Sequence, residues 1–233
     1  MRQRLFTSIL LCVIALGIQA QTETDNSLFE QITNDALILT KSGLLTEKKD
    51  IRQFVQEFLA NNQYNSYKHE FSVEVNSSLS YEIGQIQSNN GSYAVMFIRG
   101  ENNSPSQNIE FLVIYQRDSP MDVSSILESR RTKWMELCNS HKATELVKQL
   151  YTPEAYYYNR GRVIKGTEAI SQEYSYMNAS NYSLKLTPKH IAFVSPTIAY
   201  EIGRCSGSYP LPYMLLWEKQ SDGNWQVKMD SNY

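Results

Sequence analysis

Two carboxylates in the C-terminal half, Asp230 near the end of the chain and Glu201 inside an apolar stretch, are the residues best suited to chemistry. Proton abstraction beside a carbonyl needs a carboxylate base in apolar surroundings and a hydrogen-bond donor aimed at the developing oxyanion. Donors are plentiful. The chain holds 16 tyrosines, and Tyr156, Tyr158, Tyr174, Tyr200 and Tyr213 are candidate donors or ring walls. With Trp134 they can equally line a binding cavity for a flat apolar ligand. Each carboxylate also has a structural reading. Strand alternation groups Asp230 with Gln226 and Lys228 on a polar face, and only a bulge or bend would turn it inward. Glu201 has a counterpart, Glu82, in a repeated tetrapeptide, and shared packing explains such a pair without chemistry.

Other catalytic schemes lack their parts. His69, His141 and His190 are scattered and show no metal-ligand spacing. There is no Gly-x-Ser-x-Gly elbow, no phosphate-cradling glycine loop and no closely spaced cysteine pair. The sequence therefore predicts no metal and no cofactor. Arg160 and Arg162 flank Gly161 as a solvated hairpin tip.

The elements that must position these residues come in two copies. Tyr81-Glu82-Ile83-Gly84 recurs as Tyr200-Glu201-Ile202-Gly203, an offset of 119, and the same offset carries Ala36 onto Ala155 and Ile51 onto Ile170. In the first copy Phe29 and Ile32 close a short helix, and Ala36 to Leu39 form a strand. Ile51, Phe54, Val55, Phe58 and Leu59 then make one apolar helical stripe, with Thr46 as its N-cap. Four strands follow, around Phe71 to Val75, Tyr81 to Ile86, Tyr93 to Ile98 and Ile109 to Tyr115, with a hairpin turn at Asn89-Asn90-Gly91 and a surface excursion at 101–107. The second copy opens with a helix capped by Ser124 or Ser125, in which Leu127, Trp134, Leu137, Cys138 and His141 share a side. It repeats the strand at Ala155 to Tyr158, the helix from Gly166-Thr167, and a closing set of four strands. The first copy has no room for the long opening helix, which would leave an apolar sheet face to be covered.

The first twenty residues read as an export signal. Arg2 and Arg4 precede an apolar run from Ile9 to Ile18 that is short for a bilayer span. The expected organisation is a signal peptide at 1–20, a first domain at 21–118 and a second at 119–233, in a secreted or periplasmic protein with no stable membrane insertion once the signal is removed. The formal charge of −2 becomes −4 without the two leader arginines, which disfavours nucleic acid as a partner. Cys138 and Cys205 remain after the signal and permit one disulfide or two inert buried thiols.

With these landmarks placed, the second copy resembles the nuclear transport factor two-like (NTF2-like) superfamily, in its SnoaL-like, ketosteroid-isomerase-like branch. The residues that carry the likeness are Leu150-Tyr151-Thr152-Pro153-Glu154-Ala155, Val163 to Ile170, Ala199-Tyr200-Glu201-Ile202-Gly203, and Leu216-Trp217-Glu218-Lys219 leading to Gly223 to Val227. The resemblance implies an α+β fold of two tandem cones, each a strongly curved antiparallel sheet wrapped around helices with a pocket at its open end. It implies a mainly apolar, tyrosine-rich pocket in the second cone for a small apolar or aromatic molecule. Two other uses are open: cofactor-independent isomerase, cyclase or dehydratase chemistry by a pocket carboxylate and tyrosine, and a non-catalytic interaction module whose open sheets pair the two domains with each other or with a second chain, as a homodimer through its sheet faces.

Overall fold

Alternating apolar residues dominate both halves, and the chain answers with two sheets. The computed structural model describes residues 27–100 and 108–232, so the expected signal peptide and the excursion at 101–107 lie outside the described residues. The first half runs α1 (Ser27–Glu30), β1 (Ile32–Thr40), β2 (Gly43–Leu45), α2 (Lys48–Asn62), β3 (Tyr64–Asn76), β4 (Leu79–Ser88), β5 (Gly91–Gly100) and β6 (Asn108–Gln116). The second runs α3 (Ser124–Asn139), α4 (Ala143–Leu150), β7 (Tyr151–Asn159), β8 (Arg162–Lys165) and α5 (Thr167–Glu173). A tight helical turn (Tyr174–Asn178) then leads to β9 (Leu184–Ser195), β10 (Ile198–Gly207), β11 (Pro212–Lys219) and β12 (Trp225–Ser231).

The two six-stranded sheets have the same strand order, β2-β1-β6-β5-β4-β3 and β8-β7-β12-β11-β10-β9. The offset repeat is thus a repeat of topology, and the α+β, tandem cone architecture expected from the sequence is present in both halves. The four-stranded meander of each half is antiparallel. One junction in each sheet is parallel, β1 with β6 and β7 with β12, because the long connection through the helices returns the chain in the same direction.

Each concave face wraps its own helices. In the first half α2 buries Ile51 and Phe58 against Ile38, Val95, Phe97 and Leu112. In the second, α3 and α4 bury Leu127, Trp134, Leu137, Cys138, Leu146 and Val147 against Leu215, Trp217, Trp225 and Val227. Two cap assignments differ from the sequence reading. Glu47, not Thr46, precedes α2, and it caps without a side-chain bond. The Asp122 carboxylate accepts the Ser124 backbone N–H at 2.8 Å, so the acid two residues ahead does the capping expected of a serine.

The two sheets pack their other faces against each other. One apolar layer joins Tyr81, Ile83, Met96, Phe111 and Val113 of the first sheet to Tyr158, Tyr200, Ile202, Met214 and Leu216 of the second. Tyr200 donates to the Ala94 carbonyl at 3.1 Å, and the Tyr81 and Ser231 hydroxyls share a hydrogen bond at 3.0 Å. Of the two pairings expected of the open sheet faces, with each other or with a second chain, this layer is the first.

Candidate functional site

The repeated tetrapeptide explains itself residue by residue. Its tyrosine and isoleucine point into the layer between the sheets, as Tyr81 and Ile83 or Tyr200 and Ile202. Its glutamate and glycine point into the cone. A Cβ on Gly203 would lie 2.3 Å from the Tyr213 ring, and one on Gly84 would lie 2.3 Å from the Tyr67 hydroxyl oxygen. Glycine is needed there so that a tyrosine can lie across the strand and bring its hydroxyl to the glutamate.

In the second cone Glu201 is fully buried and accepts from Tyr213 at 2.7 Å, Trp217 Nε1 at 2.9 Å and Arg131 Nη1 at 2.8 Å. Burial pushes the Glu201 carboxyl up, while Arg131, Tyr213 and Trp217 pull it back, and burial prevails. In the first cone Tyr67 donates to Glu82, and Arg99 Nε reaches its other oxygen at 2.9 Å. Three donors on Glu201 give it the position of a structural anchor between α3, β10 and β11, and it does not border the cavity described next.

Asp230 is the carboxylate that faces open space. β12 follows β11 in register up to Trp217 opposite Val227, then resumes with Leu216 opposite Met229, so Lys228 is an extra residue. This bulge reverses the strand's faces. Trp225 and Val227 belong to the cone interior and Met229 to the layer between sheets, which brings Asp230 into the cone.

There Asp230 is 1 % exposed and its Oδ2 accepts from Tyr151 at 2.6 Å and from Tyr174. Both partners are phenols, and neither brings a positive charge. Burial therefore raises the carboxyl from 3.8 to about 6, against the lowering effect of the two tyrosine bonds. The same burial, with Asp230 adjacent, pushes the Tyr151 and Tyr174 phenols well above their ordinary value.

Asp230 borders a cavity of about 10 Å³ together with Trp134, Met177, Cys205, Tyr213 and Asn232, closed by Tyr182 and Tyr209. That is room for about one water molecule. Tyr182 and Tyr209 are the partly exposed members of the lining, so they form its mouth.

The sequence candidates divide between the two faces. Trp134, Tyr174, Tyr213, Glu201 and Asp230 lie inside the second cone. Tyr156, Tyr158 and Tyr200 lie in the layer between the sheets, because strand alternation sends only Tyr157 of the triple tyrosine inward. Tyr157 donates to Asn232 Oδ1 at 2.6 Å. Sequence reasoning missed Tyr151 and Arg131. A signal for Arg131 was present: it lies on the α3 stripe four residues after Leu127 and three before Trp134, an apolar face on which a lone arginine needs a buried acid.

Cys138 and Cys205 are both free and buried, and burial pushes their thiols up to about 11 and about 12. No group of side chains among the described residues is arranged to hold a metal ion. No helix among the described residues is long and apolar enough to cross a membrane.

No protein-family model matches the chain, and no curated protein matches it. Among solved structures, the chain is similar to an NTF-2 like protein of unknown function from Shewanella oneidensis, at 19% identity over 46% of this chain and 96% of that one, with a TM-score of 0.41. It is similar to a domain of unknown function with a cystatin-like fold from Nostoc punctiforme, at 14% identity over 48% of this chain and 78% of that one, with a TM-score of 0.40. A DUF4783 family protein from Bacteroides uniformis overlaps 40% of this chain and 84% of its own length, at 14% identity and a TM-score of 0.34. Strand order and register, and not these partial overlaps, define the architecture: two cones of the same strand order in one chain, packed sheet to sheet.

Proposed function

We propose that the second cone binds a small, mainly apolar molecule carrying one polar group, which Asp230 holds at the cavity floor. The observation that carries this reading is a fully buried carboxylate whose hydrogen-bond partners are two phenols. A carboxylate kept in apolar surroundings without a cation costs stability, and such sites are where ligands and protons are handled. Access requires Tyr182 and Tyr209 to swing outward, since the cavity as it stands admits only about one water. A carboxyl near 6 can give or take a proton close to neutral pH, so isomerase, cyclase or dehydratase chemistry without a cofactor is the catalytic form of the same proposal. The apolar run that follows Arg2 and Arg4 in the sequence extends the proposal to an exported protein.

A thermal-shift screen of the full chain against steroid-like, polyketide-like and aromatic-acid compounds tests the binding, because a ligand of the folded state raises the unfolding midpoint. The expected result is a shift for one class, enlarged in Tyr182→Ala and lost in Asp230→Asn. Silence in both the parent and Tyr182→Ala would overturn it. The small cavity and the paired sheets favour a second reading, in which the cones serve only as an interaction scaffold; silence across the screen is what that reading expects.

A further inference from the structure

A much larger cavity lies elsewhere. A groove of about 820 Å³ lies where the two halves meet, between α2 and the β9–β10 turn. Its size is that of small-molecule sites, which run to roughly 300–1,000 Å³. It opens beside α2, whose Phe54 and Phe58 line it together with the β1–β2 turn (Thr40, Lys41, Ser42).

The walls combine rings with negative charge. From α2 come Asp50, Phe54 and Glu57, and from across the groove come Tyr93, Tyr115 and Glu218. Lys41 is the only cationic residue lining it. Neither Asp50 nor Glu57 forms an ion pair among the described residues, and Glu218 has a loose one, at 3.6 Å from Lys228. The Tyr115 hydroxyl is held by the Thr40 carbonyl at 3.3 Å, which fixes the ring as a wall. Burial, and secondarily the Glu218 charge beside it, pushes the Tyr115 phenol up.

We propose that this inter-cone groove is a second binding site, for a small organic cation: an ammonium attached to an aromatic or branched apolar body. The ammonium lies between Asp50 and Glu57, and the body rests on Phe54, Tyr93 and Tyr115. An anion would meet an excess of carboxylates there, and a neutral ligand would forgo the charge attraction and the attraction of a cation for ring faces.

Three probes that share a ring system test this on the full chain: naphthylethylammonium, naphthylethanol and naphthylacetate, measured by titration calorimetry. The ammonium should bind about tenfold more tightly than the alcohol and weaken as salt is raised, and the acetate should not bind. Asp50→Asn combined with Glu57→Gln, both at exposed positions, should weaken the ammonium at least about fivefold. Asp230→Asn should leave it unchanged, which separates this groove from the second cone. Absence of ammonium binding, equal binding of the three probes, or loss of binding in Asp230→Asn alone would overturn the proposal.

Discussion

The rings of Tyr67 and Tyr213 do the same job from opposite sides. Tyr67 reaches Glu82 from β3, and Tyr213 reaches Glu201 from β11, each lying over the glycine two residues beyond its glutamate. The arginine that completes each set also differs in origin, from strand β5 in one cone and helix α3 in the other. The tetrapeptide is thus a socket, and each cone fills it with its own residues.

Gly203→Ala should destabilise the protein by about 2–3 kcal/mol, since the new methyl displaces the Tyr213 ring and costs Glu201 a donor. Urea unfolding of Gly203→Ala, Tyr213→Ala and the double variant checks it. The two costs should fall well short of additive; full additivity would mean that the ring does not lie over the glycine.

Arg131 and Glu201 form a buried ion pair, with side chains 3% and 0% exposed. Arg131→Met should cost about 3–5 kcal/mol, because the Glu201 charge is left alone in the core, and Glu201→Gln should cost less, because Glu128 still accepts from Arg131 Nη2. Arg131→Met together with Glu201→Leu should cost less than the sum, read by the same unfolding experiment. A sum of independent losses would refute the pairing.

Asp230 makes stability depend on pH in a definite direction. Its carboxyl is raised from 3.8 to about 6 in the folded protein, so between those values the folded state holds a proton that the unfolded chain releases. Stability should fall as pH rises through this window, by about 3 kcal/mol in total, and be flat above it. Asp230→Asn should remove the Asp230 share of that slope and leave the part that Glu201, also raised by burial, contributes in the same direction. Unfolding free energies of both proteins from pH 4 to pH 7 that run parallel would sink the assignment.

The layer between the sheets predicts how the halves behave apart. A fragment of residues 119–233 would uncover Tyr158, Tyr200, Ile202, Met214, Leu216 and Met229 together, an apolar patch of the kind that drives association. It should elute as a dimer or larger species by light scattering after gel filtration. A stable monomer would show that the layer is not needed to cover that face.

Much of this architecture was legible in the sequence. The Ile51 to Leu59 stripe marks α2, Asn89-Asn90-Gly91 marks the β4–β5 turn, and the 119-residue offset marks the duplication of topology. Which face of each strand looks into a cone was not. Residues from Ile198 to Gly203 are all buried, and alternation tells one side from the other only when one of them meets water. Tyr156, Tyr158 and Tyr200 were candidates for the cavity for that reason. The groove beside α2 was equally hidden, since its walls come from both halves and depend on how the sheets stack.

Lys228 sets the phase of the last strand. Before it, odd-numbered positions look into the cone; after it, even-numbered ones do. The interior acid is there through a stutter in the main chain and not through any choice of side chain. Were the ladder regular through Lys228, Met229 and Ser231 would look into the cone and Asp230 into the layer between the sheets, so the polarity of the cone floor is set by the phase of the main chain.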